Sequence, residues 1–267
     1  MYPQFYEMMG FQHPGGVCFE GCPPAPNLST TALLIDFDGT LIDMAETPDQ
    51  TFVPKEVPET MSRLAEAAGG AVAVITGRSV DEVRRLLPGY TGAIVGGHGA
   101  EVLVGTDHWV HPLAGSETVA KMTQIAHALT ALDPRLIVEP KPAGVAVHCL
   151  RVPEMHSRIC KFMDAIRQQF PEFDVCCGRR AVELRPRDVN RADAVIRLLD
   201  RTPFKGRRPV YFGDDQLDER AMEYVVGTGG FAIKVGDAES YASHRLRGSK
   251  EVRDCLEVWS TPRRSAA

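Results

Sequence analysis

The chain of 267 residues has no apolar stretch near the roughly eighteen residues that a membrane-crossing helix needs, so no membrane partner is expected. Basic residues form no blocks and the net charge is −5, which argues against a nucleic-acid surface. The opening MYPQFYEMMGFQHPGG lacks the basic start and apolar block of a secretory signal. There is no internal repeat and no low-complexity tract. Aromatics make up only 7 %, yet the 44 % hydrophobic content is enough for an ordinary core. Seven cysteines are scattered without the spacing of a disulfide framework, so reduced thiols and a cytoplasmic location are expected. His13, Cys18 and Cys22 lack a fourth ligand or a second spaced pair and are not read as a metal cluster. Cys176 and Cys177 are expected simply to pack at a strand end.

What is present is an alternation of strands and helices. Residues 1–28, rich in Gly, Pro and Cys and without periodicity, read as a loose arm. TALLID (31–36), an apolar run that ends on Asp36, and AVAVIT (71–76), apolar up to Thr76, are of the kind buried on both faces of a parallel sheet. Between them Val57, Met61, Leu64 and Ala68 recur at helical spacing, and Ser79 with Glu82 forms a capping-box pattern at the next helix start. The pattern then changes over residues 116–183, where two helices alternate with strands around 136–139, 145–151, 173–176 and 181–185. Afterwards the first pattern resumes with helix 192–199, strand 209–213, helix 218–226 and strand 231–235. The fold class expected is α/β, a doubly wound parallel sheet over 29–115 and 184–267 interrupted by a smaller α+β module at 116–183.

Four predicted strand ends or helix starts carry chemistry. ALLIDFDGTL (32–41) stops on Asp36 and Asp38 with a glycine for a sharp exit, so paired acids reach the carboxyl edge of the sheet, where open α/β folds bind ligands. One carboxylate can attack phosphorus while its neighbour handles the leaving-group proton. Thr76, Gly77 and Arg78 offer a hydroxyl and free amides at a helix entrance, which suits a phosphate oxygen. Asn190 and Arg191 open a helix where a cation can neutralise nucleophile and phosphate together. GDDQLDE (213–219) crowds Asp214, Asp215, Asp218 and Glu219 into one turn, where they repel unless a cation lies among them; Mg²⁺ fits, with Asp36 and Asp214 as direct ligands. Each piece alone has a bland reading as a strand terminus or a solvated helix start. Their order along one α/β pattern favours a single crevice.

These four segments resemble, in order, the motifs of haloacid dehalogenase-like (HAD) phosphatases. VITGR, GGHGAE (96–101), EPKPAGVAVH (139–148), VELRPRDVNRADAV (182–195), VYFGDDQLDE (210–219) and AIKVGD (232–237) resemble those of trehalose-6-phosphate phosphatases. The resemblance implies a Rossmann-like core with an inserted cap that sets substrate specificity. It implies Asp36 as the nucleophile that becomes an aspartyl-phosphate, and Asp38 as acid and then base. It also implies Mg²⁺ held by Asp36, the Asp38 carbonyl and Asp214, with Asp215 and Asp218 in support. In the cap, Glu139 and Lys141 alternate on one face of an extended segment. By the resemblance they contact the sugar with Glu183, and Arg179 lies near a basic position. His98 and Glu101 fall in a Gly-rich turn at the core–cap junction, and His98 is read as structural. The expected ligand is therefore a small sugar phosphate, and the sequence is silent on oligomeric state.

The chain departs from the resembled pattern at Arg191-Ala192, where Lys-Gly is usual, at Leu217, where Thr is common, and at Leu150, where an Arg is frequent. Two competing readings stand beside trehalose 6-phosphate hydrolysis. One is a phosphatase of another sugar phosphate, of the sucrose or mannosylglycerate type. The other is a sugar-phosphate-binding regulator weakened at the third motif.

Overall fold

A computed structural model describes residues 19–178 and 181–261, and shows two sheets of different kinds. The larger sheet runs through nine strands: β1 (Phe19–Glu20), β2 (Thr31–Asp36), β3 (Val72–Ile75), β4 (Ala93–Gly96), β5 (Glu101–Val104), β6 (Asp107–Val110), β11 (Arg208–Gly213), β12 (Phe231–Val235) and β13 (His244–Leu246). The smaller has four: β7 (Ile137–Lys141), β8 (Gly144–His148), β9 (Phe173–Cys177) and β10 (Ala181–Pro186). Helices are α1 (Glu56–Ala67), α2 (Val80–Leu86), α3 (Glu117–His127), α4 (His156–Arg167), α5 (Arg191–Leu199), α6 (Glu219–Gly227) and α7 (Ser249–Ser260).

The large sheet has the order β1-β13-β12-β11-β2-β3-β4-β5-β6 and is parallel from β1 to β4, then closes with an antiparallel hairpin. Every residue of β2 and β3 is buried, as strands covered on both faces require. On α1 the buried Val57, Met61, Leu64 and Ala65 form one stripe, as the spacing predicts, and α1 packs on α7. Ser79 and Glu82 make the expected reciprocal capping box at α2.

The smaller sheet, order β7-β8-β10-β9, is antiparallel throughout, and α3 and α4 cover one face of it. Val145, Val147, Val182, Leu184 and Phe173 point into that apolar layer. The other face is left for polar side chains, because successive strand residues alternate. This sheet runs on to Pro186, past the expected junction at 183.

Three features differ from the sequence reading. The hairpin strand β6 was not expected; its DHWV has no apolar alternation to reveal it. Residues 19–28, read as part of a loose arm, are tied down: β1 pairs with β13, and Trp259 Nε1 donates to the Pro23 carbonyl at 3.1 Å. Residues 1–18, with His13 and Cys18, lie outside the described residues. The third difference corrects the expectation of reduced thiols. Cys22 and Cys255 form a disulfide, with Cα atoms 5.5 Å apart and a sequence separation of 233. A pairing over that separation leaves no local spacing to read, and it removes the argument from thiols to a cytoplasmic location. Cys160, Cys176 and Cys177 are free. Among the described residues no helix is long and apolar enough to cross a membrane.

Closing so long a loop stabilises a chain by about 2–4 kcal/mol, so Cys255→Ser is expected to lower Tm by roughly 5–10 °C. Calorimetry with non-reducing peptide mapping checks this. An unchanged Tm, with both thiols alkylated in the unreduced protein, would show that the bridge is absent.

Candidate active site

Parallel pairing of β2 with β11, with Ile35 opposite Phe212, sends two acidic segments out of the same sheet edge side by side. Asp36 is the last residue of β2 and is 1 % exposed. Asp214 follows directly after β11. Gly39 makes the approach possible: its φ is +87°, and a Cβ there would lie 2.4 Å from Asp214 Oδ2. Thr40 Oγ1 donates to Asp214 Oδ1 at 3.2 Å, which joins the first acidic segment to the fourth.

Asp36, Asp214 and Asp218 each offer a carboxylate oxygen, and these oxygens lie within 4.8 Å of one another. Among the described residues, one cation stands among them. Arg191, at the start of α5, places Nη1 2.9 Å from Asp36 Oδ1 and donates to Asp218 Oδ1. Asp218 is saturated: Oδ1 also accepts from Tyr211 OH at 2.6 Å, and Oδ2 accepts from the Asp215 amide at 3.1 Å. Asp36 is the opposite case. Both of its oxygens are buried with no aligned hydrogen-bond donor among the described residues. Burial pushes the Asp36 carboxyl well above the usual range; Arg191 opposes this, and Asp218 and Asp214 reinforce it. Asp214 is raised as well, chiefly by burial.

Orphaned carboxylate oxygens beside a like-charged neighbour are what a hard divalent cation satisfies, so the donor set fits one. Asp36 and Asp214 are the side chains with oxygens to give. Asp218 holds Arg191 and Tyr211 instead, and Asp215 caps the 216–218 turn by accepting from the Gln216 amide at 2.5 Å. Lys234, a lone buried charge inside apolar β12, donates to the Asp214 carbonyl at 2.9 Å and to Glu219 Oε1 at 2.8 Å. It positions the acidic turn, and its setting in FAIKV was the signal for it.

A cleft opens from this cluster towards the smaller sheet, lined among others by Asp36, Asp38, Gly77, Arg78, Arg191 and Asp215 on one side and Glu139, Lys141, His148 and Glu183 on the other. Asp38 is gripped bidentately by Arg78, Nε to Oδ2 and Nη2 to Oδ1, both at 2.7 Å. The Arg78 Nη2 also donates to Thr51 Oγ1 at 2.6 Å. Thr76 is buried under this pair and accepts the Arg78 amide at 3.1 Å. Across the cleft, Glu139 accepts from Lys141 and pairs with His148 Nε2, both at 2.6 Å. Sequence reasoning passed over His148, although a polar residue closing the apolar run GVAVH marks a strand end at the cleft. Leu150 and Leu217, both departures from the resembled pattern, also line it. Cys176 lines it too, although simple packing was expected of it. Glu101 accepts the Val80 amide at 2.7 Å and so anchors the start of α2. Arg179 lies outside the described residues.

Comparisons with known proteins point to one family. Residues 34–251 match the family model described as Trehalose-phosphatase. A probable trehalose-phosphate phosphatase of Sinorhizobium fredii is 36 % identical over 211 residues, covering 79 % of each chain. The trehalose-6-phosphate phosphatase of Escherichia coli K12 is 33 % identical over 240 residues, covering 88 % of this chain and 89 % of that one. Among solved structures, the C-terminal domain of the C. albicans trehalose-6-phosphate phosphatase superposes with a TM-score of 0.76 at 18 % identity, over 91 % of this chain and 98 % of that one. A haloacid dehalogenase-like hydrolase from Bacteroides thetaiotaomicron has a TM-score of 0.58 at 16 % identity, over 85 % and 98 %. These last two show the fold.

Three carboxylates face one guanidinium, so the metal-free site is short of positive charge. In EDTA at pH 8, Asp36→Asn is therefore expected to melt about 2–4 °C above the wild type, the size of about 1 kcal/mol in a chain of this length. A carboxyl whose folded-state pKa is raised costs stability above that pKa and ceases to as pH falls through it, so the gap should narrow on acidification. A wild type that outlasts the variant at pH 8 would remove the repulsion argument.

Proposed function

This chain belongs to the trehalose-phosphatase family, a family of phosphoric monoester hydrolases, and from that premise we propose that it hydrolyses trehalose 6-phosphate to trehalose and phosphate, as in trehalose biosynthesis. The observation that carries the reading is Asp36: a buried carboxylate in a cleft, beside a second aspartate and a guanidinium, whose oxygens have no aligned hydrogen-bond donor among the described residues.

A carboxylate whose one close cation is not aligned as a hydrogen-bond donor keeps lone pairs for an electrophile. Asp36 attacks phosphorus and forms an aspartyl-phosphate, while the sugar oxygen leaves with a proton from Asp38. Asp38 then takes a proton from the water that cleaves the acyl phosphate, which returns Asp36. Mg²⁺ is the cation proposed for Asp36 and Asp214; bound there, it supplies positive charge to the phosphoryl oxygens and to the carboxylate cluster. Arg191 adds fixed charge to the same place, and the Thr76 and Gly77 segment borders the phosphoryl site.

Arg78 has a part beyond simple substrate binding. Its fork occupies both Asp38 oxygens with charge-assisted hydrogen bonds. An incoming phosphoryl dianion competes for that guanidinium. As Arg78 turns to the phosphate, the freed Asp38 takes up a solvent proton and passes it to the leaving sugar oxygen.

The smaller sheet serves as the cap. Glu139, Lys141, His148 and Glu183 present fixed charges and donors to a disaccharide, which offers many hydroxyls and little apolar surface. Glu139 and Lys141 pair with each other here, so sugar hydroxyls exchange for partners already in place. Closure of the cap over the core would exclude water from the acyl phosphate.

Phosphate release from trehalose 6-phosphate, with Mg²⁺ and with EDTA, tests the reading. The wild type is expected to turn over only with the divalent cation. Asp36→Asn should lose at least about 10³-fold in kcat while its circular dichroism is unchanged. Glu139→Gln should raise KM about tenfold for trehalose 6-phosphate and change it little for p-nitrophenyl phosphate. Equal kcat/KM across a sugar-phosphate panel would count against trehalose 6-phosphate as the substrate.

A further inference from the structure

We propose that His98 is a positioning residue that links the cap carboxylate Glu183 to the core guanidinium of Arg191, so that sugar recognition and alignment of the nucleophile's cation are coupled. The inference deepens the proposed function and rests on it for the sugar side alone.

The imidazole is buried and lies between two charged groups from different parts of the chain. Arg191 Nε donates to His98 Nδ1 at 3.2 Å. On the far side of the ring, His98 Nε2 is 3.1 Å from Glu183 Oε2. Arginine has no acceptor, so Nδ1 must be the unprotonated nitrogen and the ring proton sits on Nε2, facing the carboxylate. Burial, which pushes the His98 pKa down, favours the same neutral ring. The Nε2–Glu183 contact is short but not aligned as a hydrogen bond. A small displacement of the cap is enough to complete it.

The chain builds this arrangement with unusual backbone. Gly97, His98 and Gly99 have φ of +54°, +57° and +111°, and His98 is the only non-glycine with positive φ among the described residues. The His98 amide donates to the Thr76 carbonyl at 2.8 Å, which fixes the turn against the end of β3. Gly77 leaves the space for the ring, since a Cβ there would lie 2.5 Å from Nε2. A left-handed histidine held by three neighbouring glycines is an expensive way to place a merely structural ring.

The departure of this chain at position 191 is what makes the link possible. Arg191 uses Nη1 on Asp36 and Asp218 and still has Nε for His98. Lysine has a single nitrogen and serves as a point charge, so it would leave Nδ1 without its donor. The fork's plane is thus set from both ends: by the carboxylates of the core and by a ring whose other edge meets the cap.

Three substitutions separate the two halves of the bridge. Asn at 98 tolerates the left-handed backbone and offers Oδ1 near the place of Nδ1, but does not reach Glu183. His98→Asn is expected to raise KM for trehalose 6-phosphate about tenfold with kcat within about threefold. His98→Gln reaches Glu183 but vacates the Nδ1 position, so kcat should fall about tenfold with KM within about threefold. Arg191→Lys should lower kcat as well. Adding His98→Gln to it should cost no more than about a further twofold, because the bond is already gone. Gly77→Ala, which displaces the ring without altering it, should shift both parameters, and it stands in should either position-98 variant fail to fold. The proposal is overturned if His98→Gln and Arg191→Lys multiply, or if the Asn and Gln variants move the same parameter. The kcat comparisons are repeated with p-nitrophenyl phosphate. Wild-type turnover of that ester but not of trehalose 6-phosphate would refute the substrate assignment, while the Arg191–His98 half is still decided.

Discussion

Negative charge buried at the end of a sheet is the constraint around which the rest is arranged. Asp36, Asp214 and Asp218 converge, and Arg191 is the guanidinium set among them. Bringing like charges out of water costs more than a single ion pair returns, so such a cluster is poor evidence for stability and good evidence for a task. The neighbouring groups limit the cost without removing it. Tyr211 and the Asp215 amide satisfy Asp218, Thr40 satisfies one oxygen of Asp214, and Lys234 holds the Asp214 carbonyl. What is left over is the pair of oxygens on Asp36. Among the described residues, aligned donors go to Asp218 and Asp214, while Asp36, the proposed nucleophile, has only the Arg191 charge beside it.

The two sheets divide the work through their different geometry. In the large sheet, parallel neighbours β2, β3 and β11 all point their carboxyl ends the same way, so residues far apart in sequence meet without any long side chain reaching across. The small sheet is antiparallel, so its chemistry lies along a face instead of at an edge. Its register puts Glu139 and Glu183 on either side of Ala146 in one cross-strand row. The small residue between them keeps two carboxylates apart while both face the cleft. The next row along that face brings in His148, beside Ala181. A polar face over a polar edge encloses a cleft suited to a ligand with a phosphate at one end and hydroxyls at the other.

What the sequence revealed was local. A strand ending in Asp-x-Asp-Gly, a capping box, an apolar stripe and an acidic turn each lie within a few residues, and each formed where the pattern placed it. The α/β core interrupted by a smaller module was legible for the same reason. What it concealed was pairing across distance. Arg78 grips Asp38 from 40 residues away, His98 meets Arg191 from 93 away, and Cys22 meets Cys255 from 233 away. A phosphate role for Arg78 is readable from a helix entrance, but its grip on the neighbouring acid is not. His98 looked like turn furniture because glycines flank it, yet those glycines are what place its ring in the cleft.

Two arginines do here what point charges could not. Each engages two partners at once, and in each the second partner belongs to another segment: Arg78 joins Asp38 to Thr51, and Arg191 joins the acidic cluster to His98. A planar fork has few orientations that satisfy two directions together, so each arginine transmits the position of one segment to another. An ammonium at position 191 would neutralise the same charge without fixing a plane between the cluster and His98. Replacing lysine by arginine at position 191 therefore exchanges tolerance for coupling. The core becomes less forgiving of displacement at the cap, and for the same reason it becomes able to register where the cap is.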